Sequence, residues 1–179
     1  LMYASNHEQE AKLLDLFLNI KTDTTHRKEI TKLAEATMSL SAQHPLPHLN
    51  LKNVKLKEKS LYGILRKPTV LYFWSSTSAN HYRKVHARVL ELEHKFPEYD
   101  FVGINTDTNT EKWLRVLKSG KYNTNMQFQF QDIAEAEDKL VINAINKALI
   151  VNAKGIILEG STNIFQPNIE ALLVGLINQ

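Results

Sequence analysis

The chain of 179 residues contains no cysteine. A disulfide, a thiolate metal site and a thiol redox cycle are therefore excluded within it. The absence assigns no compartment, because a cysteine-free chain can live in either redox environment. Long apolar runs are also missing. The most apolar early stretch, Ala11–Ile20 (AKLLDLFLNI), carries Lys12 and Asp15 and falls short of the ~18 residues of a membrane span. No targeting segment is visible, and a start at Leu1 rather than Met suits a trimmed product from which one has been lost. Charge of one sign is scarce too. With 22 basic against 19 acidic residues the net charge is +3, which is no nucleic-acid footprint. The densest basic run, Lys52, Lys55, Lys57, Lys59, Arg66 and Lys67, lacks the regular aromatic interleaving of a stacking platform and reads as a solvated lead-in to the strand that follows.

What is present is globular material. At 43% hydrophobic and 23% charged, the composition suits one domain with an extension, long enough to bury a sizeable core. Residues 9–20 and 25–40 have helical periodicity, the first through Leu13, Leu16, Phe17 and Ile20, the second through Ile30, Leu33 and Ala34. Asp23, Thr24 and Thr25 offer capping oxygens between them. The spacing predicts a helical hairpin packed on the later domain. Pro45 and Pro47 then break helix, which puts a boundary near residue 43: an N-terminal helical extension over 1–43 and a second domain over 44–179.

From Pro68 the pattern changes. Thr69–Trp74 (TVLYFW) is apolar on both faces and suits a central strand. The following helix carries a stripe at Tyr82, Val85, Val89, Leu92 and Phe96. Tyr99–Asp107 is a second buried strand, and Asn109 or Thr110 caps a helix that Gly120 stops. Gln127 onward alternates as a short strand before a short helix, IAEAEDKLV. Ala148–Val151 and Ile156–Glu159 form a hairpin, and an amphipathic helix starting near Asn168 closes the chain. Trp113 is expected to pack its helix on the sheet. This order implies an α/β fold with a central mixed sheet, helices on both faces and a right-handed crossover between the first two parallel strands.

These residues resemble the thioredoxin-like superfamily, and most closely the TlpA/ResA-type thiol–disulfide proteins of the bacterial envelope. The lead-in Leu46–Leu51 (LPHLNL), the strand end and loop from Phe73 to Tyr82 (FWSSTSANHY), the second-strand segment VGINTD and the late INAINKALIVNAKG carry the likeness. The resemblance implies a thioredoxin-like fold over roughly 45–179 and an extracytoplasmic location, periplasmic or envelope-anchored. It places Ser78 and His81 where the family has its two cysteines, with Ala79 and Asn80 between them. Asn146 stands at the family's cis-proline.

With both redox features replaced, Ser78 has no sulfur chemistry to perform. Its expected role is to cap the helix, accepting a backbone N–H worth about 1 kcal/mol. Ser78 and His81 lack the orienting third group and the Gly-x-Ser-x-Gly elbow of a hydrolase. His81 and His86 are five apart, off the spacing that aligns two metal ligands on a helix, so no metal site and no cofactor is expected. A non-proline cis bond costs about 2.5–4 kcal/mol, so the Ile145–Asn146 bond is expected to be trans. The resulting expectation is a redox-inactive module that binds an unidentified protein or peptide, not nucleic acid. Its vestigial positions are Ser78, Ala79, Asn80, His81 and Asn146. Trp74, Thr77, Tyr82 and Ile145 form a candidate binding surface, although core packing is the better reading of Trp74 and Tyr82. An enzyme of other chemistry in the same cleft, or an oligomerising module built on the N-terminal helices, are the alternatives. The oligomeric state is not assigned.

Overall fold

The computed structural model describes residues 24–120, 122–142 and 146–177. The helix expected over 9–20 and the candidate surface residue Ile145 lie outside the described residues. So does the Ile145–Asn146 bond. Among those described, seven strands form one sheet: β1 (Asn50–Asn53), β2 (Glu58–Ser60), β3 (Thr69–Trp74), β4 (Asp100–Asn105), β5 (Gln127–Phe130), β6 (Lys147–Val151) and β7 (Ile157–Asn163). Their order is β2-β1-β5-β4-β3-β6-β7. The β3–β4 and β4–β5 pairs are parallel and the remaining pairs antiparallel. Five helices accompany them: α1 (Thr24–Ser39), α2 (Ala79–Lys95), α3 (Thr110–Gly120), α4 (Ile133–Leu140) and α5 (Ile169–Leu176).

The strand period of two decides which face each helix covers. Along β3, Val70, Tyr72 and Trp74 enter one core and Leu71 and Phe73 the other. Both parallel steps, β3 to β4 and β4 to β5, move the same way across the sheet, so right-handed crossovers put α2 and α3 on one face. Val85, Val89 and Leu92 of α2, Trp113 of α3 and Leu173 of α5 all pack in that core. Ala136 and Leu140 of α4 pack on the opposite one, with Ala36 of α1 at its margin.

The lead-in Lys52–Lys59 is a correction to the sequence reading. Lys55, Lys57 and Lys59 are exposed, as expected, but the segment folds as the β1–β2 hairpin, which closes one edge of the sheet. Only Leu51, fully buried, shows an apolar signal in β1, and β2 is Glu-Lys-Ser with no buried residue. Pairing with β5 makes these strands, and nearby sequence does not announce that pairing. Lysines at such an edge discourage further strand addition.

The segment after α1 lies along the other edge. Gln43 N–H donates to Ile157 O (2.8 Å), Ile157 N–H to His44 O (2.8 Å) and Leu46 N–H to Gly155 O (2.8 Å). Leu40 and Leu46 are buried, and the Tyr62 hydroxyl donates to the Leu46 carbonyl. Gly160 makes the approach possible, because a Cβ there would sit 1.6 Å from Leu40 O. Gly160→Ala is expected to cost about 1–3 kcal/mol through overpacking. Gly175→Ala, whose Cβ meets nothing within 4 Å, should gain up to about 1 kcal/mol of helix propensity. Urea titration of both variants checks the contrast.

Candidate functional site

Four residues, Ser75–Ser78, link the end of β3 to the start of α2. Ser76 is buried, Ser75 half-buried, and Thr77, Ser78, Ala79 and Asn80 are exposed. The loop is held from below by Asp107. Trp74 pairs with Asn105 in the parallel register, which brings the residues after β4 beneath the loop. The Asp107 carboxylate accepts the Ser75 hydroxyl (2.6 Å), the Ser76 N–H (2.5 Å), the Ser76 hydroxyl and Asn105 Nδ2 (3.1 Å). Burial pushes this carboxyl up, but the bonds from Ser75, Ser76 and Asn105 together outweigh it and hold it below the ordinary aspartate value. Gln129 Nε2 donates to Asp107 O (2.7 Å) and Asn105 Oδ1 (3.3 Å), and the Thr110 hydroxyl donates to Gln129 Oε1 (2.7 Å). The ends of β3, β4 and β5 are thereby tied into one polar cluster. The VGINTD motif marked this place in the sequence; the role of its last residue emerges only once β3 and β4 are paired.

Ser78 occupies the N-cap of α2 with extended backbone (φ −114°, ψ 107°), but its hydroxyl makes no capping bond. The expected side-chain cap is therefore corrected: the position is right and the bond is not formed. Its carbonyl starts the helix by accepting Tyr82 N–H (3.1 Å). Of the two readings of Trp74, core packing and a candidate binding surface, the structure shows the first. Trp74 is 1% exposed, and strand alternation turns it beneath α2, where its indole Nε1 donates to Gln127 Oε1 (3.1 Å). It belongs to the core and not to a binding surface. Tyr82 is half-buried with its ring edge-on to Trp74 (62°, centroids 6.2 Å), His81 is half-buried and Thr77 is exposed. Tyr72 pairs with Ala148 in antiparallel register, and continuing that register sets Asn146 beside Trp74, at the same end of the sheet as the Ser75–Ser78 loop. Asn146 is half-buried, and its buried Oδ1 accepts no hydrogen bond. Ser78–His81 and Asn146, the positions expected to be vestigial, thus gather at one end of the sheet.

Two further groups beside this site were not singled out as functional from sequence. Lys147 is buried, and its Nζ donates to Leu140 O (2.6 Å) and Val141 O (3.0 Å), the last carbonyl of α4 and that of the residue capping it. Burial pulls its pKa down to about 8. His86, 7% exposed, sits under α2. Its ring stacks on Tyr122 (3.9 Å, 20°) and meets Trp74 (4.7 Å, 85°) and Tyr72 (6.0 Å, 85°) edge-on. Burial lowers its pKa and the neighbouring His81 adds to this, while the Tyr82 carbonyl and Gln127 pull the other way. Periodicity along α2 does not reveal this site, because the aromatic side chains around His86 come from two other segments, β3 and the approach to β5. Among the described residues no group of three or more His, Asp or Glu side chains is placed to hold a metal ion.

A mixed sheet covered on both faces, with a strand–loop–helix junction meeting the start of β6, is a thioredoxin-like architecture. The sequence profile of the thioredoxin-like family matches residues 66–157, just over half of the chain, and the chain belongs to that family. Solved structures agree on the fold. A crystal structure named for a thiol-disulfide oxidoreductase from Bacteroides vulgatus is 19% identical, with TM-score 0.67 over 77% of this chain and 98% of that one. A thiol:disulfide interchange protein from a Bacteroides species is 20% identical, with TM-score 0.62 over 79% and 93%. A protein named as the thiol:disulfide interchange protein DsbE from Chlorobium tepidum is 16% identical, with TM-score 0.60 over 78% and 99%. No curated protein sequence matches the chain. The thiol chemistry in those names is unavailable to a chain without cysteine.

Hydrogen bonds to a charged group contribute about 1.5–3 kcal/mol each, so Asp107→Ala is expected to destabilise the domain by at least about 2 kcal/mol. Because the folded pKa of Asp107 lies below its unfolded value, its contribution is complete above the unfolded pKa near 3.8 and is lost as pH falls through the folded one. Urea titrations at pH 7 and at pH 3 should show the Asp107→Ala penalty shrinking in acid.

Proposed function

We propose that this protein is a redox-inactive thioredoxin-fold module that binds a protein or peptide at the end of the sheet where its relatives carry their thiols. The observation that carries the reading is the exposed run Thr77–Asn80, held on a loop anchored by Asp107, in a chain with no cysteine. A rigid, exposed turn with no sulfur to react keeps the shape of a docking site without its chemistry. Ser78, Ala79, Asn80, His81 and Asn146 form the centre of this surface, with Thr77, Tyr82 and Ile145 around it. In family members, backbone beside the cis-proline pairs with an extended substrate like an added strand. Such pairing does not need cysteine.

An extracytoplasmic setting and a division into a helical extension (1–43) and a thioredoxin-like domain (44–179) belong to the same reading. No described helix is long and apolar enough to cross a membrane. The test uses peptides selected on the full chain. Thr77→Arg and Asn80→Arg should each weaken their binding at least tenfold by calorimetry, while Lys57→Glu, on the hairpin at the sheet edge, should leave it unchanged. Peptides that bind all three variants equally would place the docking surface elsewhere.

A further inference from the structure

The imidazole of His86 has one nitrogen satisfied and one stranded. Nδ1 lies 2.8 Å from Tyr82 O. A carbonyl only accepts, so Nδ1 carries the proton and Nε2 presents a lone pair. That Nε2 is buried and has no hydrogen-bond partner. The nearby Gln127 is committed on both sides: its Oε1 accepts from Trp74 Nε1 and its Nε2 donates to the Tyr72 hydroxyl (2.7 Å). A buried, unpartnered nitrogen of a group that titrates near neutrality calls for an explanation beyond packing, since phenylalanine would fill the same space without it.

The walls of this box are unequal. Tyr72 and Trp74 lie on the central strand and are buried. Tyr122 lies outside the regular elements, is partly exposed, and reaches the box by folding over Gly120, where a Cβ would come within 2.2 Å of its ring. The charged and titratable groups facing the box are His81, Tyr82 and Arg83 from α2, Tyr72 from β3 with Glu93 acting on it, and Tyr122 itself. No carboxylate accepts a hydrogen bond from the imidazole, and the charge of His81 disfavours its cation.

We propose that His86 and Tyr122 form an acid-operated latch, which holds the segment leading into β5 against the first two turns of α2 while the imidazole is neutral and releases it when Nε2 is protonated. The second proton creates a buried N–H donor and positive charge whose neighbouring acceptor, Gln127 Oε1, already takes the Trp74 N–H. Trp74 and Tyr72 cannot yield without opening the sheet. Tyr122 can, and its departure gives Nε2 water. The half-buried side of α2 next to Tyr82 is then uncovered in acid and covered at neutral pH. This holds whether or not the Thr77–Asn80 surface binds peptide.

The test is a pH titration from 8 to 4 of the full chain, followed by NMR of the histidine and tyrosine rings. The expected result is that His86 titrates below the ordinary histidine value, and that the Tyr122 ring signals shift with the same midpoint as the His86–Tyr122 contacts disappear. His86→Phe keeps the stack and should make the Tyr122 signals flat with pH. Tyr122→Ala removes only a partly exposed ring and should raise the His86 midpoint toward the ordinary value; this reading stands even if His86→Phe fails to fold. Ring contacts that persist through the His86 titration would overturn the latch, as would a Tyr122 transition retained in His86→Phe or a His86 midpoint unmoved by Tyr122→Ala.

Discussion

Complete burial of β3 is the constraint on which the rest of the structure depends. All six residues from Thr69 to Trp74 are inaccessible, so each face of the strand needs its own cover. Val70, Tyr72 and Trp74 require α2, α3 and α5; Leu71 and Phe73 require α4 and the segment running from Leu40 to Leu65. Removing apolar surface from water stabilises by about 25 cal/mol per Å², and this strand supplies large side chains to both cores at once. The two parallel crossovers follow from the same demand, because β4 and β5 must extend the sheet in one direction to keep α2 and α3 together.

The polar cluster around Asp107 is the counterpart of that apolar constraint. Where β3 stops, the backbone of Ser75 and Ser76 turns away from the ladder, and the carboxylate takes up the donors the turn leaves free. A partly buried anion is tolerated there because it accepts four hydrogen bonds. The Ser75–Ser78 loop is thus fixed by groups that contain no sulfur. The geometry of this end of the sheet therefore does not depend on cysteine.

Elements were legible where the local pattern was strong. The run TVLYFW, the stripe Val85–Val89–Leu92 and the hairpin around Asn152–Gly155 each announce themselves by composition and period, and each forms as read. The β1–β2 hairpin did not, since its two strands contain one buried apolar residue among polar and charged ones, and β5 supplies the pairing from far along the chain. Of the candidate site, the exposure of Thr77–Asn80 follows from a polar loop before a helix. The burial of Trp74 follows from alternation once the strand's orientation is known, and that orientation is a property of the whole sheet.

By itself the sequence determined the α/β class, through the order of its strands and helices, and pointed to the family through the motifs from Leu46 to Gly155 that resemble it; it also excluded thiol chemistry, because no arrangement of 179 residues without cysteine can exchange a disulfide. Tertiary structure alone decided the rest. It put Asp107 beneath Ser75 and Ser76, 32 and 31 residues away along the chain. It left the Ser78 hydroxyl out of its expected cap and enclosed His86 between rings from β3 and from the approach to β5. The physical reason is common to all of these: a hydrogen bond or a ring stack depends on distances of a few ångströms, and distances between remote residues exist only after the sheet has set its register.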